Sequence, residues 1–95
     1  MKFLGVEPTI EHSTTPGDVH IVKYRYRGFS RETGGFELTI EVDGVNWGYS
    51  LEVFGAFKHI GDPSFLSAYS ALRSATRRVE RLYRFTSTLS ESDFC

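Results

Sequence analysis

The 95-residue chain is short of the residues that most often carry chemistry. Its single cysteine, Cys95, is the last residue. One thiol excludes an internal disulfide and a cysteine-based metal site. No run of about 18 apolar residues occurs, so no membrane-spanning helix is expected. Met1-Lys2-Phe3-Leu4-Gly5 opens like a secretory leader, but Glu7 and Pro8 interrupt it before an apolar region forms. The expectation is a cytoplasmic protein. Lysine is scarce, three residues in all, and the formal net charge of -1 argues against a general nucleic-acid binder. No phosphate-cradling GxxxxGK[ST] or GxGxxG, no HExxH, no CxxC and no GxSxG is present, and no internal repeat. The chain is therefore read as non-enzymatic, with no cofactor and no metal.

Aromatic residues, by contrast, are plentiful: eight Phe, five Tyr and one Trp. They give a small domain bulky material for one core, and the length allows only one. The clearest local signal is the stretch Phe36 to Val53, in which Asp43-Gly44 separates two runs that alternate apolar and polar. That pattern predicts a hairpin. With Asp43-Gly44 as the turn, Val42 opposes Val45, Ile40 opposes Trp47, Leu38 opposes Tyr49 and Phe36 opposes Leu51, all on one face. Glu41 then opposes Asn46, Thr39 opposes Gly48 and Glu37 opposes Ser50 on the other. A slip of one residue would mix the two sets.

Upstream, residues 2–12 read as a first strand, interrupted by Gly5 and Pro8 and hence at a sheet edge. Thr15-Pro16-Gly17-Asp18 suits a type II turn. Residues 19–28 form a second strand, and a loop from Phe29 to Gly35 leads to the hairpin. Pairing strands two and three opposes Tyr24 to Ile40 and Tyr26 to Leu38, with Lys23 to Glu41, Arg25 to Thr39 and Arg27 to Glu37 behind them. Placing Ile10 near Val22 and Val6 near Tyr26 brings Glu7 opposite Arg25. Charge matching and burial agree on one register.

Gly55 to Gly61 reads as a corner, with Phe57 and Ile60 turned into the core. Asp62-Pro63 reads as a helix start, aspartate capping and proline in the first turn. From 63 to 84, Phe65, Tyr69, Leu72, Thr76, Val79 and Tyr83 make an apolar stripe flanked by Ala68, Ala75 and Leu82. Thr76 is positioned to return its hydroxyl to a carbonyl one turn back. The fold class that follows is α+β: a four-stranded antiparallel meander (2–12, 19–28, 35–43, 46–55) with the helix on one face. Residues 1–85 form the domain and 86–95 a flexible tail. Trp47, Leu38, Ile40, Tyr49, Leu72 and Val79 should be the most buried side chains.

Two features suggest contact surfaces. Arg73, Arg77, Arg81 and Arg84 fall within about 80° of the helical wheel, away from the apolar stripe, with Arg78 further round. Arginine's planar fork suits carboxylate or phosphate. At the far end of the sheet, parity turns Phe29 and Phe54 outward beside Arg27 and Arg31, a composition like that of interface cores. Other groups weigh less. His12 and His20 flank the Thr15–Asp18 turn but would need Glu11 or Asp18 to complete a metal site. Glu37, Glu41 and Glu52 lie on the watered face, where nothing takes them out of solvent.

The reading is thus a small protein-interaction module. In size and in lack of motifs it is similar to small bacterial or phage-borne inhibitors and toxin-immunity proteins, which act by covering a partner's surface. The competing reading is a nucleic-acid-binding module that uses the arginine stripe. Unpaired strands at the sheet margins also leave room for edge-to-edge dimers.

Overall fold

Alternation along the chain translates directly into a sheet with one dry face. The computed structural model describes residues 1–13, 17, 20–61 and 64–83. Its elements are β1 (Thr9–His12), β2 (Ile21–Ser30), β3 (Gly34–Asp43), β4 (Asn46–Val53), β5 (Phe57–Ile60) and α1 (Ala68–Tyr83). The strands form one sheet in the order β1-β2-β3-β4-β5, every neighbouring pair antiparallel. Phe36, Leu38 and Ile40 of β3, Tyr26 of β2 and Leu51 of β4 are fully buried on the face that α1 covers. The helix lies over β3 and β4 and buries Ala68, Ala71, Leu72, Ala75, Thr76 and Val79. Three of those six are alanines, so the helix backbone can approach the sheet closely. Thr76 Oγ1 donates to the Leu72 carbonyl at 2.9 Å, which satisfies the one buried hydroxyl of the stripe.

The β2–β3 register is the expected one, with Lys23 opposite Glu41, Tyr24 opposite Ile40, Tyr26 opposite Leu38 and Arg27 opposite Glu37. The ladder continues through Phe29 opposite Gly35 to Ser30 opposite Gly34, so the anticipated seven-residue loop shrinks to Arg31–Thr33. Thr33 Oγ1 lies 2.6 Å from Ser30 Oγ and ties that tight turn together.

The central hairpin differs from expectation by a slide of two residues. Leu38 faces Leu51, Ile40 faces Tyr49, Val42 faces Trp47 and Phe36 faces Val53. The turn is Gly44-Val45, and Gly44 has φ +68 while no positive φ falls on Asp43 or Val45. This is the arrangement of a type II′ turn with glycine first, and it spares aspartate a left-handed backbone. A slide by two preserves parity, so the paired side chains keep their predicted faces, but Val45 loses its expected place opposite Val42, enters the turn and is 85% exposed. One consequence is that Glu37 stands opposite Glu52, with Arg27 beyond one and Lys58 beyond the other. Arg27, 3.9 Å from Glu37, offsets part of the like-charge contact.

At the N-terminus the expected long strand is only β1, whose register also slides by two: Ile10 faces Tyr24 and Thr9 faces Arg25. Pro8 has no N–H to continue the ladder. Residues before it fold over the core face instead. Leu4 (φ +48) and Gly5 (φ +79) form a tight turn that bridges Phe3 to Val6 through hydrogen bonds of 3.0 and 2.9 Å. Phe3 is fully buried, edge-on to Phe36 (5.2 Å between centroids) and to Tyr26 (6.0 Å). Burying a phenylalanine is worth ~1.5–3 kcal/mol, enough to offset the ~1–2 kcal/mol of holding Leu4 left-handed.

Between β4 and α1 the sequence reading needs three corrections. The supposed corner holds a fifth strand, β5, which gives the free edge of β4 its partner. Ile60 accordingly sits on the watered face, 70% exposed, and is no core plug. The chain then follows the same edge further: Gly61 N donates to the Tyr49 carbonyl (2.9 Å), and Phe65 and Trp47 exchange two hydrogen bonds of 2.7 and 3.0 Å. Phe65 is thereby held outside the helix. The cap is Ser67, whose Oγ accepts from Ser70 N at 3.1 Å, and α1 begins at Ala68 rather than at 63. Trp47 is half-buried rather than central to the core, and Leu82, expected to flank the apolar stripe, is 53% exposed. Gly17 has the φ of +81 that a type II turn asks of it. The rest of the Thr15–Asp18 turn, Asp62-Pro63, Arg84 and the 86–95 tail lie outside the described residues.

Burial pushes the Tyr26 phenol well above the ordinary tyrosine range, with smaller contributions from Tyr24 and Glu7, and its hydroxyl donates to the Met1 carbonyl at 3.4 Å. Proton binding is therefore tighter in the folded state. The stability this group provides is complete below about pH 10, where unfolded tyrosine titrates, and is lost progressively above it. Denaturant midpoints measured from pH 8 upward should fall beyond pH ~10, and Tyr26→Phe should flatten that fall. The assignment of faces makes a second prediction. Leu72→Ala, a core truncation, should cost ~2–5 kcal/mol. Glu41→Ala, which removes only a 3.5 Å surface pair with Lys23, should cost less than ~1 kcal/mol. Similar losses in urea titrations of the two would contradict the assignment.

Candidate functional site

α1 is amphipathic, and the face it turns away from the sheet carries the arginines. Arg73, Arg77, Arg78 and Arg81 are all exposed there. Together they border an open groove of about 400 Å3 that runs along the helix surface. Its floor is Ser70 and Ser74, small residues one turn apart, and Phe65 and Tyr69 close its N-terminal end. Of the four arginines predicted as a stripe, three line the groove, and Arg84 lies outside the described residues. Arg78, expected to stand apart, joins them. Its Nε donates to the Tyr49 hydroxyl at 3.1 Å, anchoring the groove wall to the sheet. Tyr49 itself is held between His59 (5.6 Å) and Phe65 (6.1 Å).

The charge environment of this face differs from that of the sheet. On the outer sheet face, Lys23 lies 3.5 Å from Glu41 and 3.8 Å from Glu11, Arg25 lies 3.7 Å from Glu11, and Arg27 lies 3.9 Å from Glu37. Among the described residues, none of Arg73, Arg77, Arg78 and Arg81 has such a carboxylate partner. The helix also has no acid in its first turn. Its groove is lined by hydrogen-bond donors and by no carboxylate.

The second predicted surface is present at the far end of the outer sheet face. Phe29 is 75% exposed and Phe54 44% exposed, with Arg27 and Arg31 exposed nearby in sequence. Phe54 has a local duty: its N–H donates to the Gly35 carbonyl (2.9 Å), and a Cβ on Gly35 would come within 2.9 Å of its ring. The ring thus roofs a glycine that has no side chain to cover its strand. Phe29, paired with Gly35, has no such roof to build. The helix groove and this aromatic end lie on opposite layers, so one flat partner surface cannot cover both.

A second groove, also of about 400 Å3, lies on the outer sheet face where Gly48 leaves a gap beside Thr39, Glu41, Asp43, Ser50 and Ile60. Glu41 is tied to Lys23 there, and the trough is open to water. His12 and His20 are both exposed and flank the β1–β2 connection, closed by Ser13 N donating to the His20 carbonyl at 2.7 Å. Among the described residues no group of three or more His, Cys, Asp or Glu is placed to hold a metal ion. No helix among them is long and apolar enough to cross a membrane. No protein family, curated protein or solved structure matches this chain.

The serine floor and the Phe65–Tyr69 end of the groove escaped sequence reading, though Ser70 and Ser74 share the wheel sector of Arg77 and Arg81. Arg78's role could not be read from spacing, because its acceptor is 29 residues away. Tyr49→Phe keeps the ring and removes that acceptor. It should cost ~0.5–1.5 kcal/mol in a denaturant melt, the worth of one hydrogen bond. A loss comparable to a core truncation would mean that the hydroxyl does more than hold Arg78.

Proposed function

We propose that this chain is a non-enzymatic protein-interaction module that acts by covering an acidic surface of a partner protein with the arginine face of α1. The observation that carries the reading is the contrast between the two solvated faces. The outer sheet face mixes its charges into ion pairs, as a surface that serves only solubility does. The helix face leaves Arg73, Arg77, Arg78 and Arg81 without a described carboxylate partner. Like charges at i,i+4, here Arg73 with Arg77 and Arg77 with Arg81, each cost a helix ~0.2–0.5 kcal/mol. Solubility alone does not call for this repulsion, whereas an acidic partner relieves it.

Protein is favoured over nucleic acid by the setting of the groove. The net charge is -1, the basic strip is confined to one helix, and the opposite layer carries Glu37, Glu41 and Glu52. A basic strip along a helix is also a footprint of nucleic-acid binders, so the preference rests on the net charge and on the acids of the opposite layer, which repel phosphate. Arginine is also the basic residue enriched at protein interfaces, and it is the only basic residue in α1.

The test is capture from the native host by wild type and by the triple variant Arg73→Glu, Arg77→Glu, Arg81→Glu, at two salt concentrations. The variant should keep its far-UV circular dichroism and lose the protein partner, with lost charge-assisted contacts worth ~1.5–3 kcal/mol each where desolvated. A partner retained by the folded triple variant would overturn the reading. A captured nucleic acid whose binding falls steeply with salt would replace it with the competing one.

A further inference from the structure

We infer that the element of the partner seated on α1 is an acidic α-helix, laid antiparallel along the serine-floored groove. The inference rests on the proposed arginine-face function and specifies what that face receives.

Arg73, Arg77 and Arg81 recur every fourth residue, so they stand about 6 Å apart along the helix axis. Carboxylates at i, i+4 and i+8 of a partner helix repeat at the same interval, and each can accept from one guanidinium fork. A shallow helix crossing of about 20° keeps such pairs in register over three turns. Ser70 and Ser74 line the floor between the arginines, and their small side chains leave the depth in which a second helix can settle.

The chemistry of the lining separates a helix from an extended peptide. The arginines offer only donors, and the Ser70 hydroxyl is already engaged with Ser67 at 3.1 Å. A bound strand would bring backbone N–H groups that need acceptors, and the groove has few to give. A helix satisfies its backbone internally and presents acceptor side chains alone.

Polarity along the groove sets the direction. α1's own C-terminal end, near Arg81, carries partial negative charge, which favours a partner's N-terminal end there. Acids are most stable in the first turns of a helix, so the glutamates fall on the arginines in that orientation. The partner's other end then meets Phe65 and Tyr69, with Leu66, 86% exposed, beside them. An apolar residue one turn beyond the last acid completes the match.

The probe is a synthetic peptide of about sixteen residues on an alanine/glutamine background, end-blocked, with glutamates at i, i+4 and i+8 and leucine one turn further. Titration is run against the full chain by calorimetry at moderate salt. The wild-type protein should bind this peptide about tenfold or more tighter than a scrambled peptide of equal composition and helicity, and Arg77→Gln should lose about the same factor. The reversed sequence should bind more weakly, and a cysteine-free spin label at the peptide N-terminus should report proximity to Arg81 rather than to Phe65. Equal binding of the scrambled peptide, or of a single-stranded oligonucleotide of equal charge, overturns the acidic-helix inference. If native-partner binding still depends on the arginines in that case, the function proposed above survives. If the triple glutamate variant also keeps its native partner, both fall.

Discussion

The fold depends on one constraint, the two-residue period of β3. Its even positions, Phe36, Leu38 and Ile40, are fully buried, and its odd positions, Glu37, Thr39 and Glu41, face water. β3 is the central strand, so both neighbours must match that alternation. β2 brings Tyr24 and Tyr26 to the same face, and β4 brings Tyr49, Leu51 and Val53. The helix needs only a flat apolar surface to land on, and this row supplies it. Phe3 closes the part of the row that α1 does not reach, against Tyr26 and Phe36.

How much of this is legible in the sequence follows from how many residues share each signal. β2 and β3 are ten residues each, and their register is fixed twice over, by apolar pairs and by Lys23–Glu41 and Arg27–Glu37. The β3–β4 hairpin carries only the parity signal. Two registers differing by two residues both bury the same side chains, and the turn decides between them. Glycine alone takes the left-handed backbone at Gly44-Val45, whereas a turn on Asp43-Gly44 would have drawn aspartate into it as well. The short pieces were invisible for another reason. β5 is four residues that pair because β4 has an open edge, a requirement set by tertiary structure. The same edge takes Phe65 out of the helix and moves the cap to Ser67. Of the candidate site, the arginines were legible from the helical wheel, and the groove was not. Its end depends on where Phe65 pairs, and its wall depends on a contact between Arg78 and Tyr49.

That contact ties the helix layer to the sheet layer. Tyr49 belongs to the buried row through its ring and to the helix surface through its hydroxyl. The face that bears the arginines is therefore braced against the buried core. A helix already ordered by the fold has little backbone freedom left to lose on contact, while each exposed arginine side chain still has its rotamer freedom to lose.

The two solvated faces carry the same kinds of side chain and use them in opposite ways. On the sheet, Lys23, Arg25 and Arg27 each have a carboxylate of a neighbouring strand within 3.9 Å, although Glu37 and Glu52 also face one another. On α1, Arg73, Arg77 and Arg81, a turn apart, carry the same sign, and among the described residues none of them forms an ion pair with a carboxylate, that of Glu80 on the same helix included. Pairing on the sheet fixes register, a need that a single helix does not have. The arginine row keeps the outer face of α1 solvated and helix-prone without forming described ion pairs, and on the function proposed above its repeat of one helical turn is the surface a partner would meet.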